Sequence, residues 1–204
     1  RRQQRVPADL EEVVVHADRL RAEQLVPDQG DRRLEHVPRR HDEPAADDRL
    51  ALAARAAALD VHVLANPKIV PGEAIAEGTD LIVAAHTHAR ISNEALARSR
   101  LGGVGYHPSL LPRHRGIAAV EWTILQGDAI AGGSVYHLAD GWDAGAIAAQ
   151  DWCFVGKGET ARELWERALA PMGLELLARE VRHARDHGEL PARPQDARFA
   201  TKAP

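Results

Sequence analysis

Between Asp47 and Val155, short apolar runs alternate with stretches of good helix formers, and few folds accept that alternation. Asp48–Leu59 is rich in Ala and Leu and reads as a helix capped by Asp47 or Asp48. Val61–Leu64 reads as a short strand closed by a turn at Asn66–Pro67. Leu81–Ala85, after Gly78-Thr79-Asp80, fits a buried parallel strand. Ser92 is placed to cap a helix over 93–100, and Gly103–Tyr106 is the next strand. Gly116–Gln126 reads as a helix. Ile130–Leu138 and Ile147–Val155 read as antiparallel partners across a Gly-containing loop. Glu159–His187 is a long amphipathic helix with a break expected near Pro171. Strands alternating with helices imply βαβ units, so the expected class is α/β, with a mainly parallel sheet and an antiparallel C-terminal portion.

This pattern divides the chain. Residues 1–46 carry charged clusters, four prolines, no lysine and no aromatic residue, whereas all eight aromatics lie at or after Tyr106. The expectation is an atypical leader over 1–46, read either as a solvated arm or as a truncated or out-of-frame stretch, then a catalytic body over 47–190 and a surface tail over 191–204. A formal net charge of -4 argues against a general nucleic-acid or membrane-surface binder. Cys153 is the only cysteine, which excludes an intrachain disulfide and a Cys-rich zinc site. With no signal-peptide pattern and no long apolar run, a cytoplasmic setting is expected.

Two segments carry the chemistry. His107-Pro108-Ser109-Leu110-Leu111-Pro112-Arg113-His114-Arg115-Gly116 follows directly on a strand, and ligands of open α/β sheets bind at the carboxyl ends of strands. Its prolines stiffen the backbone, and an imidazole held there can act as acid, base or electrostatic stabiliser; a histidine merely hydrogen-bonded at a strand end is the plainer reading. Asp140-Gly141-Trp142-Asp143-Ala144-Gly145 joins two β runs and can make a tight turn with a carboxylate aimed inward; taken alone it reads as a plain Asx turn.

Together the two segments resemble the formyltransferases that use 10-formyltetrahydrofolate. The signature loop of that family, Asn-x-His-Pro-Ser-Leu-Leu-Pro followed by Gly, is matched by His107–Pro112 and Gly116, and its Asp-x-Gly by Asp143-Ala144-Gly145. Gly133–His137 is similar to the family's Thr-Val-His strand, and Leu81–Val83 with Arg90-Ile91 to its strand and Met-Arg-Ile loop. The resemblance implies a Rossmann-like three-layer domain. It also implies transfer of a formyl group from 10-formyltetrahydrofolate to an amine, with His107 stabilising the oxyanion and Asp143 keeping that histidine protonated. Arg90, Ile91, Ser92, Asp140 and Gly141 are expected to line the folate pocket, and Arg113, Arg115 and Gly116 to meet the acceptor or the folate tail. A small amine, from a nucleotide precursor or an amino sugar, is expected rather than tRNA, and no metal is expected.

One departure bears on activity: Gly105 stands where the family has an Asn that also donates to the oxyanion. Loss of one such donor costs about 2.7–4 kcal/mol. Tyr106, Ser109 and His137 are the candidate substitutes. Two rival readings follow. One is a homologue that binds folate without turnover, or hydrolyses the formyl group. The other is a metal-dependent hydrolase built on His86-Thr87-His88, completed from His62, His107, His137 and Asp143.

Overall fold

A computed structural model describes residues 12–16, 49–64, 68–85, 87 and 89–204. The expected cap at Asp47 or Asp48, the Asn66–Pro67 turn, His86 and His88 lie outside the described residues, as does the leader apart from 12–16.

The strands are β1 (Glu12–His16), β2 (Asp60–Leu64), β3 (Ile69–Val70), β4 (Ile82–Ala84), β5 (Arg90–Ile91), β6 (Gly103–His107), β7 (Ile130–His137) and β8 (Ile147–Phe154). The helices are α1 (Arg49–Ala56), α2 (Asn93–Ala97), α3 (Ala119–Leu125), α4 (Ala161–Leu164) and α5 (Ala170–His187). The principal sheet has the order β4-β6-β7-β8; β3 and β5 form a parallel pair, and β1 pairs with β2 antiparallel, Glu12 opposite Leu64. Within the principal sheet β4–β6 is parallel, whereas β6–β7 and β7–β8 are antiparallel. Among the described residues β4 is an edge of that sheet, and Val83 is accordingly 39% exposed instead of buried as its apolar run suggested.

Side-chain alternation gives the sheet two different faces. Val104 and Val135 point to one face and pack with Leu176 and Leu177 of α5. The buried stripe of that helix, Gly173, Leu176, Leu177, Glu180, Val181 and Ala184, has the spacing of a single helical face. Tyr106 shares this side: its ring lies against Gly133 and Gly173, where no Cβ would fit, and its hydroxyl donates to the Leu169 carbonyl at 2.6 Å. The opposite face carries Gly105, His107, Ser134 and Tyr136, with Gly105 directly across from Tyr136 and His107 from Ser134.

The C-terminal helical run opens on a Thr160–Glu163 capping box, passes through a π turn at Trp165–Leu169, and closes on Gly188 in the left-handed region (φ 75). The π turn falls just before Pro171, which lacks the N–H that regular helix needs, and accommodates the expected break without ending the helix. The segment expected as a surface tail is largely exposed, yet its end is built into the fold. Lys202 bridges Arg115 in parallel, Ala203 N–H donates to the Arg115 carbonyl at 2.7 Å, and Ala203 is fully buried. Backbone hydrogen bonds to an otherwise unpaired loop explain why Pro- and Arg-rich composition misplaces this stretch.

Candidate active site

His107 is the last residue of β6, at the carboxyl end of a strand, and is 6% exposed. The loop that follows folds back over it. Ser134 Oγ, fully buried on β7, donates to the Ser109 carbonyl at 2.6 Å and accepts from Leu111 N–H at 3.1 Å and Gln150 Nε2 at 2.9 Å. Gln150 Nε2 also donates to the Leu111 carbonyl at 2.9 Å. His114, in the left-handed region (φ 53), is anchored by Asp128 Oδ2 at 2.8 Å from its Nε2 and by Thr201 Oγ1 at 2.8 Å from its N–H. Burial would raise the Asp128 carboxyl, but hydrogen bonds from His114 and Arg113 outweigh it and hold the group below its ordinary value.

This anchoring fixes the His107 ring. Its Nε2 lies 2.7 Å from the His114 carbonyl, which can only accept, so Nε2 carries a proton. Nδ1 then faces Asp143, with 3.6 Å to Oδ2, an ion-pair separation longer than a hydrogen bond. The Asp143 carboxylate is itself held at both oxygens: Oδ2 accepts from Gly116 N–H at 2.8 Å and Oδ1 from the Tyr136 hydroxyl at 2.8 Å. Asp143 sits in the left-handed region (φ 49), which Asp tolerates better than most residues. Gly145 lies so close to the His137 carbonyl that a Cβ would not fit, which is the physical reason for an Asp-x-Gly spacing here. Gln195 Nε2 clasps the turn by donating to the carbonyls of Asp143 and Gly145 at 2.8 and 2.7 Å.

The structure brings His107, Gly105, Asp143 and Gly116 together. It also joins Arg90 to Asp140 by an ion pair of 3.1 Å, next to Ser92, which caps α2, and Asn93, whose amide reaches both Asp140 oxygens at 3.2 and 3.3 Å. Arg113 and Arg115 are turned to the protein, Arg113 to Gln126 and Asp128 and Arg115 to Gln195. The three candidate substitutes for the missing Asn donor do not reach the His107–Asp143 pair. Tyr106 lies on the other face, Ser109 Oγ donates to the Arg113 carbonyl at 2.6 Å, and His137 Nε2 is 2.8 Å from the Pro191 carbonyl. Tyr136 does reach it. Burial first, and the Asp143 carboxylate second, push its hydroxyl far above the ordinary phenol value, so it remains a donor. Period-two alternation from Ser134 on an inward face was the available signal for Tyr136; Gln195 and Asn93 had none. Among the described residues no group of three or more His, Cys, Asp or Glu could hold a metal ion, and no helix is long and apolar enough to cross a membrane.

A buried His–Asp pair beneath a pinned loop lies at the carboxyl end of a strand, the position where ligands of open α/β sheets bind. The chain belongs to the formyl transferase family, whose model matches residues 16–179. It is 35% identical over 168 residues to human mitochondrial 10-formyltetrahydrofolate dehydrogenase, which covers 78% of this chain and 18% of that protein, so the chain spans under a fifth of this relative. Among solved structures it is similar to glycinamide ribonucleotide transformylase 1 from Symbiobacterium toebii (25% identity, 57% of each chain, TM-score 0.50). It also shares its fold with HypX from Aquifex aeolicus in complex with tetrahydrofolic acid (21% identity, 61% of this chain and 21% of that chain, TM-score 0.53).

Proposed function

We propose that this chain transfers the formyl group of 10-formyltetrahydrofolate to an amine of a small acceptor. The observation that carries the reading is the buried His107 ring, anchored through Nε2 and directing Nδ1 toward Asp143 at 3.6 Å. An amine attacks the formyl carbon, and the carbonyl oxygen gains a negative charge. His107 Nδ1, which lies 3.6 Å from Asp143 and beyond hydrogen-bond distance of it, is the side of the fixed ring that stabilises the oxyanion. A proton passes from the attacking amine to the folate nitrogen, and collapse of the tetrahedral centre breaks the bond to that nitrogen and releases tetrahydrofolate and the formamide. Arg90, Ile91, Ser92, Asp140 and Gly141 are the proposed folate contacts, supported by the Arg90–Asp140–Asn93 cluster that draws their two segments together. Gly116 contributes through its N–H to Asp143. The names of the dehydrogenase relatives support a folate donor, and that of the transformylase a small amine acceptor.

The test is consumption of 10-formyltetrahydrofolate by the purified protein, with and without glycinamide ribonucleotide, a nucleotide-linked amino sugar, or methionyl-tRNA. Amine-dependent consumption that His107→Ala abolishes is the expected result. Consumption without any amine would identify a formyl hydrolase instead, binding without consumption a non-catalytic folate binder, and turnover with tRNA alone a different acceptor class.

A further inference from the structure

The departure at Gly105 and the hydroxyl on Asp143 are two ends of one arrangement. Gly105 and Tyr136 are directly opposed on β6 and β7 and point to the same face of the sheet. A Cβ built on Gly105 would stand 3.3 and 3.4 Å from Cε1 and Cζ of the Tyr136 ring, and 3.1 Å from Cδ2 of Leu138. The leucine methyl can swing away. The ring edge cannot, because its hydroxyl is tied to Asp143 Oδ1 at 2.8 Å. The same ring meets His107 edge to face, with centroids 6.5 Å apart. Any side chain longer than a methyl at position 105 must therefore compete with the ring for the space between β6 and the His107–Asp143 pair.

We propose that Tyr136 is a positioning residue that holds the Asp143 carboxylate facing His107, and that Gly105 is the small partner its ring requires, so that the two positions can be exchanged only together. The hydroxyl donates to a carboxylate, a charge-assisted hydrogen bond stronger than a neutral one, and with Gly116 N–H it restrains both oxygens, so Oδ2 cannot rotate away from Nδ1. On this account the tyrosine fills the space of the absent amide but does not replace it as an oxyanion donor; it acts through Asp143. An Asn placed at Gly105 alone does not restore a lost donor; it displaces the group that orients the carboxylate.

The catalytic part of this inference rests on the proposed formyl transfer, and the pairing does not. Tyr136→Phe removes only the hydroxyl. Its kcat for amine-dependent consumption of 10-formyltetrahydrofolate is expected to fall about tenfold or more, with the folate KM within about threefold of wild type. In its crystal structure the Asp143 carboxylate is expected to have turned. Unchanged kcat, or an unmoved carboxylate, overturns the positioning role. The pairing is read from thermal unfolding of Gly105→Asn, Tyr136→Leu and the double variant. Leu keeps bulk near the backbone and removes Cε1 and Cζ. The double variant is expected to lose markedly less in unfolding midpoint than the sum of the two single losses, because the substitutions are in contact. Additive losses, or a Gly105→Asn protein more active than wild type, overturn it. If the wild-type protein consumes no 10-formyltetrahydrofolate, the functional reading fails, while the melting cycle and the position of Asp143 in Tyr136→Phe still decide this inference.

Discussion

Ser134→Ala probes how the loop over the site is held. Ser134 Oγ makes three hydrogen bonds in a fully buried position: to the Ser109 carbonyl at 2.6 Å, from Leu111 N–H at 3.1 Å and from Gln150 Nε2 at 2.9 Å. Each is worth about 0.5–1.5 kcal/mol net, which gives an upper bound of about 4.5 kcal/mol. Two circumstances reduce it. Leu111 N–H keeps a second acceptor in the Ser109 carbonyl at 3.1 Å, and Gln150 Nε2 keeps the Leu111 carbonyl at 2.9 Å, so no backbone group is wholly orphaned. The alanine also no longer has a buried hydroxyl to desolvate. A loss of about 2–3 kcal/mol is therefore expected, a drop in Tm of about 4–12 °C for a chain of this size. Ser109→Ala is the internal control, since Ser109 Oγ makes one bond, to the Arg113 carbonyl, and is expected to lose about 1 kcal/mol. Urea unfolding with a common slope, read beside the thermal midpoints, gives both values. Equal losses in the two variants, or less than about 0.5 kcal/mol for Ser134→Ala, would refute the view that this hydroxyl fastens the loop to the sheet.

Three further outcomes follow from the same geometry. His107→Ala and Asp143→Asn should each lower the rate of donor consumption about 100-fold or more, checked by steady-state kinetics with the fold confirmed by circular dichroism. Gly116→Ala should destabilise by about 1–3 kcal/mol, because alanine is strained at a φ of 121 and its methyl would run into the Ala203 carbonyl; calorimetry measures it. Asp128→Asn tests the acid side. The folded carboxyl titrates below its unfolded value of about 3.9, so its contribution is complete above about pH 5 and is lost as pH falls through the folded value. Wild type and variant should differ in unfolding free energy at pH 6 and converge as pH falls through the folded value.

Local pattern made most of the body legible. β6, β7 and β8 lie within a residue or two of the runs that announce them, Ser92 caps α2 through Ala95 N–H as its position suggested, and the π turn lies next to Pro171, where the break was expected. These features depend on neighbours in sequence, where propensity and periodicity act. Pairing of distant segments was less accessible. His107 and Asp143 were joined only by a family resemblance, because nothing local to either shows which strand lies beside which. Tyr136 was passed over in favour of Tyr106, Ser109 and His137 because its role depends on the β6–β7 register, and a shift of one residue would have sent it to the α5 face. Thr201–Ala203 looked like a tail because their value lies in backbone hydrogen bonds, which side-chain composition does not report.

The clasp made by Gln195 has a consequence for how the protein comes into being. Its amide holds the carbonyls of Asp143 and Gly145 and accepts from Arg115, yet it lies 52 residues beyond Asp143. At a synthesis rate of about 5–20 residues per second, a ribosome that has added Asp143 needs about 3–10 s more to add the side chain that steadies it. The strand that ends in His107 and the strands flanking Asp143 precede Gln195 in the chain, while the turn that carries Asp143 waits for its clasp. The nascent domain thus passes through a stage in which the Asp143 turn is made but not yet fastened.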